Sequence, residues 1–149
     1  MTRQQQLIAA YEKGHYTVQT PALRFTLLIA QHSGPLARLH EQLDVSFSFY
    51  ITAYNPHSEL FDEADNQARQ QDLVADVEAL GLTYYPARAV DPQGEWPVEE
   101  SILVCGGSLL EAQGLGQRYG QNAVVYNLGA VPLLLFPFWK NQESFLQIA

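Results

Sequence analysis

The 149-residue sequence contains one cysteine, few basic residues and no long apolar run. A single cysteine excludes an internal disulfide framework and a metal site built from several thiolates. Eight Lys and Arg residues stand against sixteen Asp and Glu residues, which gives a formal charge of −8. Because nucleic acids and anionic membrane surfaces bind basic stripes, we expect neither as a partner of this chain.

Segments that would direct the chain to a membrane are also missing from the pattern. The first six residues, MTRQQQ, lack the apolar core of a signal peptide. The longest dense apolar run, residues 131–139, is too short to cross a bilayer and contains two prolines. We therefore expect a cytoplasmic protein without membrane contact.

The composition is typical of one globular domain. Hydrophobic residues make up 47% of the chain and charged residues 16%, so a chain of this length can bury a core. We predict a single domain over residues 1–149, with its core at about 16–126, an N-terminal helix at 3–13, an apolar segment at 127–139 and a polar tail at 140–149. Segments with helical spacing of apolar residues alternate along the chain with short apolar stretches typical of strands. This order indicates an α/β (α+β) sandwich with a mixed sheet of about five to six strands and three to four helices.

The clearest strand pattern covers residues 45–54. Apolar residues alternate there with hydroxyl-bearing residues, which predicts a sheet that is buried on one face only. A helix is predicted over 63–80, where Asp62 is a suitable N-cap and Gly81 a stop. Residues 86–97, rich in proline and glycine, predict a loop, and residues 131–138 predict a last edge strand.

Two polar residues of the 63–80 helix point in the same direction as its apolar stripe. With Asn66 at zero, the stripe of Leu73, Val77 and Leu80 lies within roughly 40° of it, and Arg69 lies about 60° away. A half-buried arginine requires a carboxylate, a backbone carbonyl or a ligand. A structural ion pair explains Arg69 as well as a ligand does.

The position of this helix favours a ligand site. Its start follows the carboxyl end of the 45–54 strand, and ligands of open α/β sheets bind at such strand ends. Thr52 and Asn55 lie at or just past that end. Three acidic residues already occupy the helix start, which argues against an anion there. The alternative for Asn55 is a simple Asn-Pro turn.

Two further pairs of polar residues adjoin predicted strands. Glu99 and Glu100 precede an apolar strand, and strand alternation requires one of them to face inward. An inward glutamate would pair with Arg69, which would lower the pKa of its carboxyl, or it would act as a general acid or base. A solvated strand entry is the alternative. The amides of Gln121 and Asn122 would either line the same cleft or cap the preceding helix.

The sequence does not indicate a metal site, a reactive cysteine or a phosphate-binding loop. Four histidines lack the paired spacing of a zinc site, so no metal site is predicted. His57 is a candidate acid or base, with an exposed loop histidine as the alternative. Cys105 has no histidine in a recognised nucleophile pattern and is expected to be a buried thiol. No phosphate-binding or nucleophile-elbow motif occurs.

Four pieces of the sequence together resemble one bacterial family. They are residues 51–56 (ITAYNP), Asn66 with Arg69, residues 96–101 (WPVEES) and residues 120–124 (GQNAV). In this combination the chain is similar to the bacterial family catalogued as domain of unknown function 3293, over about residues 16–126. The resemblance implies no activity, cofactor or catalytic residue.

These observations predict a domain that binds a small polar ligand, with no cofactor identified. The ligand cleft is predicted to contain Thr52, Asn55, Asn66, Arg69, Glu100, Gln121 and Asn122. The first alternative is a hydrolase or transferase in which Glu99 or Glu100 is the general base and Arg69 an electrostatic stabiliser. The second is an acidic protein-interaction module with a purely structural polar network, in which residues 131–139 bind a protein partner or form a homodimer.

Overall fold

The computed structural model describes residues 1–139 and 146–147, and it contains one antiparallel sheet with helices on both faces. The elements in chain order are α1 (Arg3–Glu12), β1 (His15–Gln19), β2 (Arg24–Leu27), α2 (Gly34–Leu43), β3 (Phe47–Ile51), a 3-10 turn (Pro56–Ser58), α3 (Glu63–Ala79), β4 (Thr83–Val90), β5 (Glu99–Cys105), α4 (Leu109–Arg118), β6 (Val124–Leu128), β7 (Val131–Leu135) and β8 (Leu146–Gln147). The four α-helices agree with the three to four that the sequence predicts.

The strand order is β2-β1-β4-β5-β3-β6-β7-β8, and each described pair of neighbours is antiparallel. The prediction of a mixed sheet is therefore wrong. Helix α3 does return the chain so that β4 runs parallel to β3, but β5 lies between them and is antiparallel to both. Seven strands have four residues or more, and the two-residue β8 pairs with β7, so the sheet is wider than predicted.

Strand β4 is longer than the sequence predicts. It continues through Pro86 to Val90, so the loop predicted for residues 86–97 is shortened to 91–98. The Asp91 carboxylate organises this loop, because its oxygens accept hydrogen bonds from the backbone N–H groups of Gln93, Glu95 and Trp96 at 2.9–3.1 Å. These bonds lower the pKa of Asp91, and they position Trp96 at the start of β5.

The sheet is buried on both faces, which corrects the one-sided burial predicted for the 45–54 strand. Helices α1 and α2 cover one face, on which Leu36, Tyr50 and Leu103 pack. Helices α3 and α4 cover the other, on which Phe49 and Leu73 pack. The hydroxyl-bearing residues of β3 are therefore inside, with Ser48 0% and Tyr50 3% exposed.

Two apolar segments lie elsewhere than predicted. Strand β7 pairs on both sides, with β6 and β8, and residues 132–137 are buried, so the segment 131–138 is core rather than an edge strand. Within residues 132–138, Phe138 alone lies on the surface, with 46% of its area exposed. Leu80 is 45% exposed and does not belong to the core stripe of α3. The predicted polar tail lies outside the described residues, apart from the backbone of β8.

Within residues 1–139 and 146–147, none of the helices combines the length and the apolar character needed to cross a bilayer.

Candidate functional site

Asn55 connects the two sides of the sheet at the end of β3. Its backbone is left-handed, with φ 48°, and it is 5% exposed. Its Oδ1 accepts hydrogen bonds from the Phe61 N–H at 3.0 Å and from Asn66 Nδ2 at 2.9 Å, and its own N–H donates to Asn66 Oδ1 at 2.8 Å. Its Nδ2 donates to Glu99 Oε2 at 2.9 Å. Asn55 and Asn66 are therefore brought together as predicted, and Glu99 joins them.

The loop that begins at Asn55 is conformationally strained. His57 and Ser58 also have positive φ, at 56° and 58°, so three of its four residues lie in a region that non-glycine residues disfavour. The 3-10 turn is held against the α4–β6 connection, since the His57 N–H donates to the Gly120 carbonyl at 2.7 Å. A Cβ on Gly120 would lie 2.9 Å from Pro56 Cβ, and this contact explains the glycine there.

Glu99 is half-buried on the α1/α2 face of the sheet. Both of its side-chain hydrogen bonds end on Oε2, from Asn55 Nδ2 at 2.9 Å and from Trp96 Nε1 at 3.1 Å. Oε1 accepts no hydrogen bond from the described residues. Burial raises the pKa of the Glu99 carboxyl, and the two hydrogen bonds partly oppose the rise. The carboxylate thus has one oxygen that is fixed and one that is free of hydrogen bonds from the part of the chain that the structure describes.

The charge of this carboxylate affects three tyrosine hydroxyl groups. Burial raises the pKa of Tyr11 to about 12, and the charge of Glu99 adds to the rise. Burial also raises the pKa of Tyr16 and Tyr50, and again the charge of Glu99 contributes. All three phenols are therefore neutral at neutral pH. The sequence did not point to Tyr11, because α1 lies far from Glu99 along the chain.

Glu100 has a different environment from Glu99. Consecutive strand residues face opposite sides, so Glu100 lies on the α3/α4 face, where it forms an ion pair with Arg88 at 3.0 Å. The side chains of this pair are 67% and 44% exposed, for Arg88 and Glu100 respectively. Glu99, not Glu100, is the glutamate that enters the polar network of Asn55.

Arg69 does not form the ion pair with Glu99 or Glu100 that the sequence suggests. Its Nε donates to the Ala53 carbonyl at 2.9 Å and its Nη2 to the Tyr119 carbonyl at 2.6 Å. The guanidinium also lies 5.8 Å from the centre of the Phe61 ring. A half-buried arginine requires a carboxylate, a backbone carbonyl or a ligand, and the partners of Arg69 are backbone carbonyls. It joins the end of β3 to the end of α4.

Thr52, Gln121 and Asn122 serve the same junction. The Thr52 hydroxyl donates to the Glu100 carbonyl at 2.6 Å. Gln121 Nε2 donates to the Tyr54 carbonyl at 3.0 Å and the Tyr119 carbonyl at 3.1 Å, so it both caps α4 and contacts the strand end. Asn122 Nδ2 donates to Ser58 Oγ at 2.8 Å. The predicted residues surround Asn55, but most of their polar groups are used internally.

A surface depression of about 370 Å³ is bordered by α3 and the C-terminal end of α4. Arg69, Asp72, Asp76, Arg118 and Tyr119 border it together with Ala75. Arg118 is paired with Asp76 at 3.3 Å, and the Tyr119 hydroxyl also donates to Asp76. Its charges are therefore balanced within the chain, and the depression is distinct from the Glu99 carboxylate on the opposite face of the sheet.

The comparison with known proteins bears on this junction. The family model described as Protein of unknown function (DUF3293) matches residues 51–124. The chain resembles the DUF3293 family. No curated protein and no solved structure matches the chain.

The matched segment contains the residues that form the described hydrogen bonds with Asn55. Residues 51–56, Asn66 and residues 96–101 meet there, and residues 120–124 support the loop from the other side. The pieces that carry the sequence resemblance are therefore neighbours in space. Tyr11 and Tyr16, whose pKa values the charge of Glu99 helps to raise, lie outside the matched segment.

The remaining reactive side chains are those of possible metal ligands, of His57 and of Cys105. Among residues 1–139 and 146–147, no three His, Cys, Asp or Glu side chains are grouped as metal ligands. The His57 ring lies 5.5 Å from the Phe138 ring at the surface of the strained loop. Cys105 is buried, and burial raises the pKa of its thiol to about 12, so it is the inert core thiol that the sequence predicts.

A second polar cluster lies inside the α1/α2 face and was not predicted. His40 Nε2 and Ser48 Oγ are 2.8 Å apart, and Asn127 Nδ2 donates to the same hydroxyl at 2.9 Å. His40 is 5% exposed, and Ser48 and Asn127 are 0% exposed. Because these side chains are closed off from solvent, we interpret the cluster as part of the core and not as a catalytic group.

We expect His40 to make the protein less stable in mild acid. Burial lowers its pKa below 6.5, so the unfolded chain binds a proton at a higher pH than the folded chain does. Stability contributed by neutral His40 is present above about pH 6.5 and is lost as the pH falls from there towards the folded pKa.

The measurement is the melting temperature of the wild type and of His40→Gln between pH 5 and pH 8. Glu99 titrates with the opposite sign in acid, but its contribution is the same in both proteins. The wild type should therefore lose several degrees more than His40→Gln as the pH falls. Parallel profiles for the two proteins would contradict a neutral buried His40.

Proposed function

We propose that the chain binds a small polar ligand at the Glu99 carboxylate, beside the loop of residues 55–58. The observation that supports this most directly is the asymmetry of Glu99. Asn55 and Trp96 hold one oxygen in place, while the other accepts no hydrogen bond from the described residues and belongs to a half-buried side chain. A positioned acceptor with a free oxygen is what a small-ligand site requires.

The surrounding structure also favours a site rather than a plain turn. Left-handed conformations at Asn55, His57 and Ser58 cost of order 1–3 kcal/mol each, and such strain persists where the surroundings enforce it and is concentrated at functional sites. Asn55, Asn66 and Gln121 use their amides internally, so we assign them to positioning. Glu99 is the group that remains for contact with a ligand.

Catalysis at the same residue is the second candidate. A carboxylate whose pKa is raised by burial is a better general base at neutral pH than an ordinary one, which favours a hydrolase or transferase with Glu99 in that role. Arg69 is not assigned as its electrostatic stabiliser, since its Nε and Nη2 donate to backbone carbonyls.

The test is a pair of variants in adjacent residues. The melting temperature of wild type, Glu99→Gln and Glu100→Gln should be measured with a library of polar metabolites of all charge types. We expect a library compound to raise the melting temperature of the wild type and of Glu100→Gln, but not of Glu99→Gln. Equal shifts in all three proteins would place the ligand elsewhere, and no shift in the wild type would count against ligand binding.

Glu99→Gln has a second expected effect that controls for folding. Because the pKa of Glu99 is raised in the folded chain, the folded state binds the proton more readily, and stability falls as the pH rises from about 4.5 through the folded pKa. The glutamine variant lacks this loss. Without ligand it should melt at or above the wild-type temperature at pH 7, so failure to bind ligand would not be due to unfolding.

A further inference from the structure

The environment of Glu99 indicates what kind of ligand it would take. Neither of the salt bridges found among the described residues includes Glu99, although the carboxylate is half-buried and burial of an unpaired charge is unfavourable. On this face the charge of Glu99 acts on the phenols of Tyr11, Tyr16 and Tyr50, which are neutral. The carboxylate thus has hydrogen-bond donors but no salt-bridge partner among the described residues.

The Trp96 indole adjoins the Glu99 carboxylate. Trp96 is 36% exposed, and its indole is fixed by the hydrogen bond from Nε1 to Glu99 Oε2. An indole beside a carboxylate attracts an organic cation through both the ring and the charge, and the exposed part of the ring accommodates the hydrocarbon part of such a ligand.

We propose that the ligand of Glu99 is an organic cation, an ammonium or guanidinium group on an apolar or aromatic body, whose charged group binds Glu99 Oε1 while its body lies against Trp96. This inference rests on the proposed function. An anionic ligand is disfavoured because it would face Glu99, and because the chain as a whole carries a formal charge of −8.

The experiment uses three probes with the same ring and different charge: benzylammonium, benzyl alcohol and benzoate. Binding is followed by the proton–nitrogen NMR signal of the Trp96 indole N–H, identified by its disappearance in Trp96→Phe. We expect benzylammonium to shift this signal in a saturable manner and the other two probes to leave it unchanged. Because a charge-assisted contact is lost, Glu99→Gln should bind benzylammonium about tenfold more weakly or worse.

Two matched variants complete the design. Glu100→Gln removes the adjacent carboxylate, which is paired with Arg88 on the opposite face, and should keep wild-type affinity. Lys140 is a positively charged residue outside the described residues. The variant Lys140→Gln tests whether its charge affects the binding of benzylammonium, and this variant should also keep wild-type affinity. A Lys140→Gln variant that bound benzylammonium about tenfold more tightly would indicate that the chain itself supplies the cation, and would overturn the inference.

The remaining outcomes separate this inference from the proposed function. If benzyl alcohol, benzoate or a neutral or anionic library compound binds in a Glu99-dependent manner and benzylammonium does not, the site stands and its preference for cations is refuted. If benzylammonium binds equally to wild type and Glu99→Gln, the preference is refuted as well. If neither the probes nor the library affect the wild type, both proposals fail.

Discussion

Asn55→Ala should be strongly destabilising, by about 3 kcal/mol or more, which corresponds to a melting temperature lower by roughly 6–12 °C. Its side chain satisfies the Phe61 N–H, the Asn66 amide and one oxygen of Glu99. Since Asn55 is 5% exposed, water does not readily replace these bonds. Alanine would also have to adopt a φ of 48°, which asparagine tolerates better than other non-glycine residues do. Urea and thermal unfolding provide the measurement.

Two comparisons separate the stability lost with the hydrogen bonds of Asn55 from the stability lost through its backbone conformation. Asn55→Gly removes the same hydrogen bonds but accepts a positive φ, so it should be about 1 kcal/mol more stable than Asn55→Ala and still well below the wild type. Asn122→Ala removes an asparagine with a single hydrogen bond, to Ser58, and should lose less than about 1 kcal/mol. An Asn55→Gly variant as stable as the wild type would show that the network contributes little.

Those parts of the fold that depend on local spacing were predictable from the sequence. Helix α3 begins after Asp62, whose carboxylate accepts a hydrogen bond from the Asp65 N–H, and Asn66 is buried with Leu73 and Val77 as the helical period predicts. Ser108 caps α4 in the same way, with Glu111 completing a capping box. These features require only neighbouring residues, and for that reason the sequence shows them.

Those parts that depend on distant partners were not predictable. The hydroxyls of β3 indicate a solvated face, yet Ser48 is satisfied by His40 and Asn127, and the Tyr50 hydroxyl donates to the Thr17 carbonyl at 3.4 Å. Each partner belongs to another element of the chain. Alternation therefore gives the two faces of a strand, but the other layers of the fold decide whether both are buried.

The same limit applies to the candidate site. The sequence requires one of Glu99 and Glu100 to face inward, but the choice depends on the pairing of β5 with β4, which places Glu100 opposite Arg88. Arg69 was correctly predicted to need a partner. That partner, the Tyr119 carbonyl, lies at the end of α4 and becomes a neighbour only when α3 and α4 pack on the same face.

Arg69→Met is expected to lower the stability by about 2–4 kcal/mol, and the melting temperature by several degrees. The methionine retains an apolar stem but leaves the carbonyls of Ala53 and Tyr119 without their charged donor. Arg88→Met is the matched control, because Arg88 forms an exposed pair with Glu100 and its loss should change the stability by less than about 1 kcal/mol. Both are measured by thermal and urea unfolding.

Ligand binding by Arg69→Met distinguishes a positioning role from direct contact. The measurement is made at a temperature where the variant is folded. We expect the Glu99-dependent ligand to bind still. Its affinity should fall only as far as the end of β3 and the loop of residues 55–58 have shifted. Arg69 would then act on the site through the backbone carbonyls that it joins. If instead the melting temperature of the variant is unchanged and binding is abolished, Arg69 contacts the ligand itself, and the site must include the α3/α4 face. The Arg88→Met control excludes a general effect of removing one positive charge, because it changes the net charge equally.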